Sequence, residues 1–136
     1  MDDSNATTLA ILYVEDDKLT RRSVTNRLKR RGFKVLPAET GERALELAAD
    51  VPILSAVLMD IDLPGIDGLE TYARLQESYP GLPLVICSGA ISSVVSQRIE
   101  RMNIPKECCL NKPCPFAEIL AAIHNATASQ SSIPTR

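Results

Sequence analysis

Five short apolar runs alternate with five helix-like stretches along the chain, and this alternation constrains the fold more than any other feature. The first run, Leu9-Ala10-Ile11-Leu12-Tyr13-Val14, carries no polar residue at every second position. A strand with one wet face would alternate, so a run apolar throughout belongs to a strand covered on both faces. Phe33 to Leu36, closed by Pro37, reads as the second strand, Ile53 to Met59 as the third, Leu84 to Ser88 as the fourth and Cys108 to Leu110 as the fifth. The intervening stretches carry helical signals. Lys18 to Arg31 is polar and basic and is stopped by Gly32, and Thr40 to Ala49 is rich in Ala, Leu and Glu. Asp67 with Glu70 three residues on forms a capping-box pattern, which starts a helix near Gly68 that runs to about Ser78. Ile91, Val94, Val95, Ile99 and Met102 keep helical spacing, as do Phe116, Ile119, Leu120 and Ile123. Strict strand–helix alternation predicts a doubly wound α/β fold, with a five-stranded parallel sheet and helices on both faces.

At 136 residues the chain is one domain's worth, long enough to bury a core without covalent staples. Residues 9–124 form the expected domain, 1–8 an N-terminal extension and 125–136 a small, polar, flexible tail. No stretch reaches the ~20 apolar residues of a membrane span, and the acidic start, Met1-Asp2-Asp3-Ser4, lacks the basic region of a signal peptide. A cytoplasmic setting with no membrane insertion is the expectation. The net charge of -2 gives no general attraction to nucleic acid. Lys18 to Lys34 holds eight basic residues and no acidic one, but no aromatic platform accompanies them. A solvated helix face or a docking edge involving Arg22 and Arg30 fits better than direct nucleic-acid binding. Cys87, Cys108, Cys109 and Cys114 lack paired CxxC spacing, so they read as reduced, small apolar side chains rather than zinc ligands. With His124 the only histidine, nucleophile activation by imidazole is disfavoured.

In doubly wound sheets ligands bind beyond the carboxyl ends of the strands. The first strand ends in Glu15-Asp16-Asp17, the third in Asp60 with Asp62 two residues on, the fourth in Ser88, and the fifth is followed by Lys112-Pro113. Carboxylates gathered at one edge repel one another unless a hard cation sits among them. Mg2+ fits, with Asp16 and Asp60 as direct ligands, Glu15 acting through water and the backbone carbonyl of Asp62 adding an oxygen. Lys112 and Ser88 then face an anion held there, which is the environment of a phosphoryl group. A carboxylate can itself take a phosphoryl group, and Asp60, central in the sheet, is the candidate. Each piece alone has a plainer explanation: Asp17 could cap a helix, Asp62 could shape a turn, and Ser88 and Lys112 could be ordinary loop residues.

The conjunction strongly resembles the receiver domain of two-component response regulators, over about Leu9 to His124. The resemblance is carried by Ile11 to Asp17, by Leu58-Met59-Asp60-Ile61-Asp62-Leu63-Pro64-Gly65-Ile66-Asp67-Gly68, by Val85-Ile86-Cys87-Ser88-Gly89-Ala90 and by Asn111-Lys112-Pro113. It implies a flavodoxin-like strand order 2-1-3-4-5 and Asp60, rather than Asp62, as phosphoacceptor. It makes Glu15 and Asp16 the acidic pair, Ser88 the switch hydroxyl and Lys112 the family lysine. It implies a partner that donates from a phosphohistidine, either a sensor histidine kinase or a histidine phosphotransfer protein. It implies also a downstream target protein or an output domain outside this chain. A receiver is not a conventional enzyme; it assists its own phosphorylation and dephosphorylation. Two features depart from or individualise the pattern. Cys109 stands where the family usually has a switch aromatic, and Asp62 and Ala90 stand where the family tunes phosphoryl lifetime. A Mg2+-dependent hydrolase or nucleotidyl-transfer domain built on Asp60-Ile61-Asp62 is the first rival, but it leaves Ser88 and Lys112-Pro113 unexplained. A docking module that does not use phosphorylation is the second, with Cys109 in its favour.

Overall fold

The computed structural model describes residues 8–89 and 91–131. Its strands are β1 (Ala10–Val14), β2 (Lys34–Ala38), β3 (Ala56–Met59), β4 (Leu84–Ser88) and β5 (Cys109–Asn111). Between and after them lie α1 (Lys18–Arg30), α2 (Gly41–Ala49), α3 (Gly68–Ser78), α4 (Ser93–Arg101) and α5 (Phe116–Ser131). The five strands form one parallel sheet in the order β2-β1-β3-β4-β5. This is the expected flavodoxin-like order.

The apolar runs bury both faces of the sheet. Leu12, Val14, Val57, Met59, Leu84 and Ile86 pack with α2, α3 and α4 residues such as Ala44, Leu69, Leu75 and Ile99. The residues between them, Ile11, Tyr13, Leu58, Val85 and Cys87, face Leu28 of α1 and Ile119, Ala122 and Ile123 of α5. Alternate residues of each strand thus feed opposite cores, which is why no polar position interrupts the runs.

Four helices begin on a side chain that accepts an orphan backbone N–H: Asp17 from Thr20, Thr40 from Arg43, Asp67 from Glu70 and Ser92 from Val95. These caps fix where each chain segment leaves the sheet edge and turns back.

Several boundaries differ from the sequence expectation for identifiable reasons. β2 runs through Pro37 to Ala38 rather than ending before the proline. It is an edge strand, so the missing N–H costs no ladder bond. The third strand is only Ala56–Met59; the Ser55 N–H still donates to the Ala10 carbonyl at 2.9 Å, but the Ala10 N–H turns to the Ser55 Oγ, also at 2.9 Å. The fifth strand is shifted one residue, because Lys106–Cys108 forms a turn of 3-10 helix. The last helix continues past His124 to Ser131. Ala126 and Ala128 favour helix, and the Thr127 hydroxyl donates to the Ile123 carbonyl at 2.8 Å, so residues 125–131 are drawn into the helix. The expected N-terminal extension falls almost entirely outside the described residues, as do residues 132–136.

Candidate functional site

The strand ladder itself assembles the site. Glu15 and Asp60 are the first residues beyond β1 and β3, and the Asp60 N–H donates to the Val14 carbonyl at 3.1 Å. Ser88 closes β4, and the Lys112 N–H donates to its carbonyl at 2.9 Å. The backbone therefore holds Glu15, Asp60, Ser88 and Lys112 at one edge before any side chain is considered. Gly68 sharpens this edge. A Cβ there would collide with the Asp60 carbonyl oxygen and the Ile61 Cα, so only glycine lets α3 start so close to the Asp60 backbone.

One oxygen from each of Glu15, Asp16 and Asp60 lies within 4.8 Å of the others, a donor set of hard oxygens suited to a divalent cation. Glu15 and Asp60 are buried and Asp16 is exposed. Lys112 Nζ donates to Glu15 Oε1 and to Asp60 Oδ2, both at 2.9 Å. Asp60 Oδ1 accepts the Asp62 N–H at 3.0 Å. Both oxygens of Asp60 are thus oriented. The side chain of Asp62 has a different partner and accepts from the Ser88 hydroxyl at 3.4 Å. Asp17 caps α1, so of the first acidic triplet only Glu15 and Asp16 join the cluster.

The electrostatics follow from crowding. Burial pushes Glu15 above the usual carboxylate range, against the pull of Lys112 and the Asp17 N–H, and Asp60 pushes in the same direction as burial. Burial works against the charge on Lys112, but hydrogen bonds to Asp60 and Glu15 outweigh it and hold the ammonium firmly protonated. Tyr13 is pushed far up, first by burial and then by the negative charge of Glu15 and Asp60. The site carries excess negative charge that one lysine cannot neutralise.

A cavity of about 460 Å³ opens beside this cluster, lined by Tyr13, Glu15, Asp60, Lys112 and by Cys87 and Cys114. Those two cysteines, expected as separate reduced thiols, are bonded to each other, with Cα atoms 6.8 Å apart. The sheet places β4 next to the loop after β5, a proximity that spacing along the chain does not reveal. Cys108 and Cys109 are free thiols. Burial first, and then neighbouring acidic groups, push both above the ordinary thiol range. Cys109 is half-buried on β5, its Sγ 3.8 Å from the Pro105 carbonyl. The Lys112-Pro113 bond is cis. Ala90, singled out from the sequence, lies outside the described residues.

Two arginines contribute that the basic and polar stretches do not single out. Arg21 of α1 donates to the carbonyls of Glu15 at 2.8 Å and Asp16 at 3.3 Å, so it holds the acidic loop from behind. Its position one turn beyond the Asp17 cap is the signal the sequence offers. Arg98 of α4 pairs with Asp67, the cap of α3, at 2.9 Å. No local pattern marks that pair.

A doubly wound sheet whose carboxyl edge gathers three carboxylates, a bridging lysine and a serine defines a class of α/β domains with a charged cluster at one edge. Within that class the match is specific: residues 11–124 fit the response regulator receiver domain model, and the chain belongs to that family. It is 35% identical over 112 residues to the response regulator MprA of Mycolicibacterium vanbaalenii, covering 82% of this chain and 47% of that protein. It is 34% identical over 116 residues to MprA of Mycobacterium leprae, covering 85% and 49%. The chain therefore spans about half the length of these relatives. A receiver domain protein (CheY-like) from Methanospirillum hungatei superposes with a TM-score of 0.83 at 22% identity, covering 94% of this chain and 100% of that one. The signal receiver domain of an HD domain-containing protein from Pseudomonas fluorescens superposes at 0.81 with 23% identity, covering 93% and 99%. Among the described residues no helix is long and apolar enough to cross a membrane.

Proposed function

We propose that this chain is a phospho-accepting receiver in which Asp60 takes a phosphoryl group from the phosphohistidine of a sensor histidine kinase or a histidine phosphotransfer protein. The observation that carries this reading is the state of the Asp60 carboxylate. It is buried at a strand end, with Oδ1 held by the Asp62 N–H and Oδ2 by Lys112, beside Glu15 and Asp16. An oriented carboxylate oxygen attacks phosphorus, the P–N bond breaks, and the histidine nitrogen leaves with the electron pair and takes a proton. Charge then accumulates on the phosphoryl oxygens, where the Lys112 ammonium is already placed to offset it. Glu15, Asp16 and Asp60, with the Asp62 carbonyl, are the residues that would hold Mg2+. When bound, the ion supplies positive charge to the transferring group.

The same geometry supports a switch. In this structure the Ser88 hydroxyl is engaged by Asp62. A phosphoryl group on Asp60 offers it a stronger acceptor, and exchanging partners moves the end of β4 and the segment leading to α4. The readout face is then α4, β5 and α5. Cys109, on β5, is too small to act as the inward-swinging aromatic that usually accompanies this exchange. The partner at that face is a target protein or an output domain beyond this chain, and the setting is cytoplasmic.

Intact mass after incubation with Mg2+ and acetyl phosphate tests the reading. One added phosphoryl group, blocked by chelation and lost in Asp60→Asn, is expected. Labelling retained in Asp60→Asn overturns the assignment.

A further inference from the structure

We propose that Cys87 and Cys114 form a reversible redox clamp on the phosphoacceptor pocket, closed by small-molecule disulfides and opened by small thiols. Cys87 immediately precedes Ser88 and Cys114 is the second residue after Lys112. Their bond joins the end of β4 to the loop between β5 and α5, which are the two segments that present the hydroxyl and the ammonium to Asp60. Both cysteines line the same cavity as Glu15, Asp60 and Lys112, so a reagent that reaches the carboxylate also reaches the sulfurs. The link lies beside the Lys112 N–H to Ser88 carbonyl hydrogen bond. It adds a covalent restraint where the ladder ends and where the proposed switch needs freedom. The other two cysteines, on and beside β5, are free thiols, so the pairing singles out the pocket pair.

The chemistry is thiol–disulfide exchange. Cys114, half-buried, is the more accessible sulfur, and Cys87 is buried. The Cys114 thiolate attacks a disulfide RSSR, forming a mixed disulfide and releasing one thiolate. The Cys87 thiolate then attacks the Cys114 sulfur and displaces the second. Two protein thiols become one disulfide, RSSR becomes two RSH, and the two thiol protons pass to the released thiolates. Excess RSH runs the sequence backwards.

Closing the clamp restrains β4 in the conformation in which Ser88 donates to Asp62, so phosphorylation of the oxidised form slows. That consequence rests on the receiver reading; the clamp itself does not. Three measurements on the full chain, equilibrated with oxidised or with reduced glutathione, decide it. Alkylation and peptide mapping after oxidation are expected to give a Cys87–Cys114 cross-link with Cys108 and Cys109 alkylated. A Cys108–Cys109 bond, or four alkylated cysteines, overturns the clamp. Hydrogen exchange is expected to be slower in the oxidised form at the end of β4 and after Lys112, a difference absent in Cys114→Ser. Equal exchange in oxidised and reduced wild type overturns it without relying on any variant. Acetyl phosphate labelling of the oxidised form is expected to be about fivefold slower, the low end of ordinary coupling between sites. Equal rates overturn the regulatory role. If neither form is labelled, the receiver reading fails, while mapping and exchange still decide the clamp.

Discussion

Lys112→Met isolates the charge balance of the site, because methionine keeps most of the aliphatic stem and removes the ammonium. Two contacts of 2.9 Å disappear, to carboxylates whose side chains are only 3% and 7% exposed. Breaking a fully buried ion pair costs ~3–5 kcal/mol, and an exposed one at most ~1 kcal/mol. The Lys112 side chain is 29% exposed and borders a cavity that admits water, so the loss falls between these limits, at about 2 kcal/mol. For a domain of this size that is a fall in melting temperature of about 8 °C, measured by circular dichroism in EDTA at neutral pH. The pH dependence gives a second check. Glu15 already has a folded pKa above its ordinary value of 4.5. A carboxyl raised on folding favours the folded state below its unfolded pKa, and that contribution is lost as pH rises through the folded value. Removing Lys112 raises the group further, so the variant's deficit grows from mildly acid to neutral pH and shrinks again on acidification. Mg2+ replaces the missing positive charge and should stabilise the variant more than the wild type; saturation at about 100 times Kd contributes about 2.7 kcal/mol. A melting temperature within about 1 °C of wild type in EDTA would refute the reasoning. So would a deficit that does not change with pH.

Three further outcomes concern other parts of the edge. Gly68→Ala drives a Cβ against the Asp60 carbonyl and Ile61, and should cost about 1–3 kcal/mol in urea unfolding while slowing acetyl phosphate labelling; unchanged labelling would mean that the Asp60 backbone has slack. Asp62→Ala releases the Ser88 hydroxyl from its present acceptor, and the phosphoryl half-life at Asp60 should change by a few-fold at unchanged stability; an identical half-life in a pulse-labelling experiment would separate Asp62 from the switch. Arg98 holds Asp67 below its ordinary value of 3.8, with the Glu70 N–H helping and burial opposing. A depressed carboxyl stabilises the fold above its unfolded pKa, and that contribution is lost as pH falls through the folded value. Arg98→Ala should therefore flatten the acid limb of the melting temperature between about pH 4 and pH 2, and an unchanged limb would count against the pair.

Much of this fold is legible in the chain because its strands are buried on both faces. Continuous apolar runs separated by capped helical stretches admit few arrangements, and a parallel doubly wound sheet forces the residues after each strand to one edge. Glu15, Asp60, Ser88 and Lys112 are legible for that reason. What the chain conceals is which neighbours at that edge touch. Arg98 and Asp67 lie 31 residues apart, Ser88 and Asp62 lie 26 apart, and Cys87 and Cys114 lie 27 apart. Each pair depends on the rotation of a helix or on the reach of a loop, which periodicity does not specify. The ends of elements are hidden for a related reason. Pro37 stops a central strand but not an edge strand, and strand order is a property of the whole sheet. The helix beyond His124 persists through its alanines, which a reading based on apolar periodicity alone treats as featureless.

Asp60 and Asp62 show how burial and backbone bonding assign different work to two chemically identical groups two residues apart. Asp60 has its N–H committed to Val14, its carboxylate buried, and both oxygens held. Asp62 is exposed, and its side chain reaches across to Ser88. Lys112 joins these two halves of the edge, since its ammonium holds Asp60 Oδ2 and its own N–H holds the Ser88 carbonyl. If Asp60 is phosphorylated as proposed, Lys112 gives the charge change a one-residue route to the end of β4, beside the proposed exchange of the Ser88 hydroxyl. On the receiver reading proposed above, that route includes no side chain at position 109, where Cys109 stands.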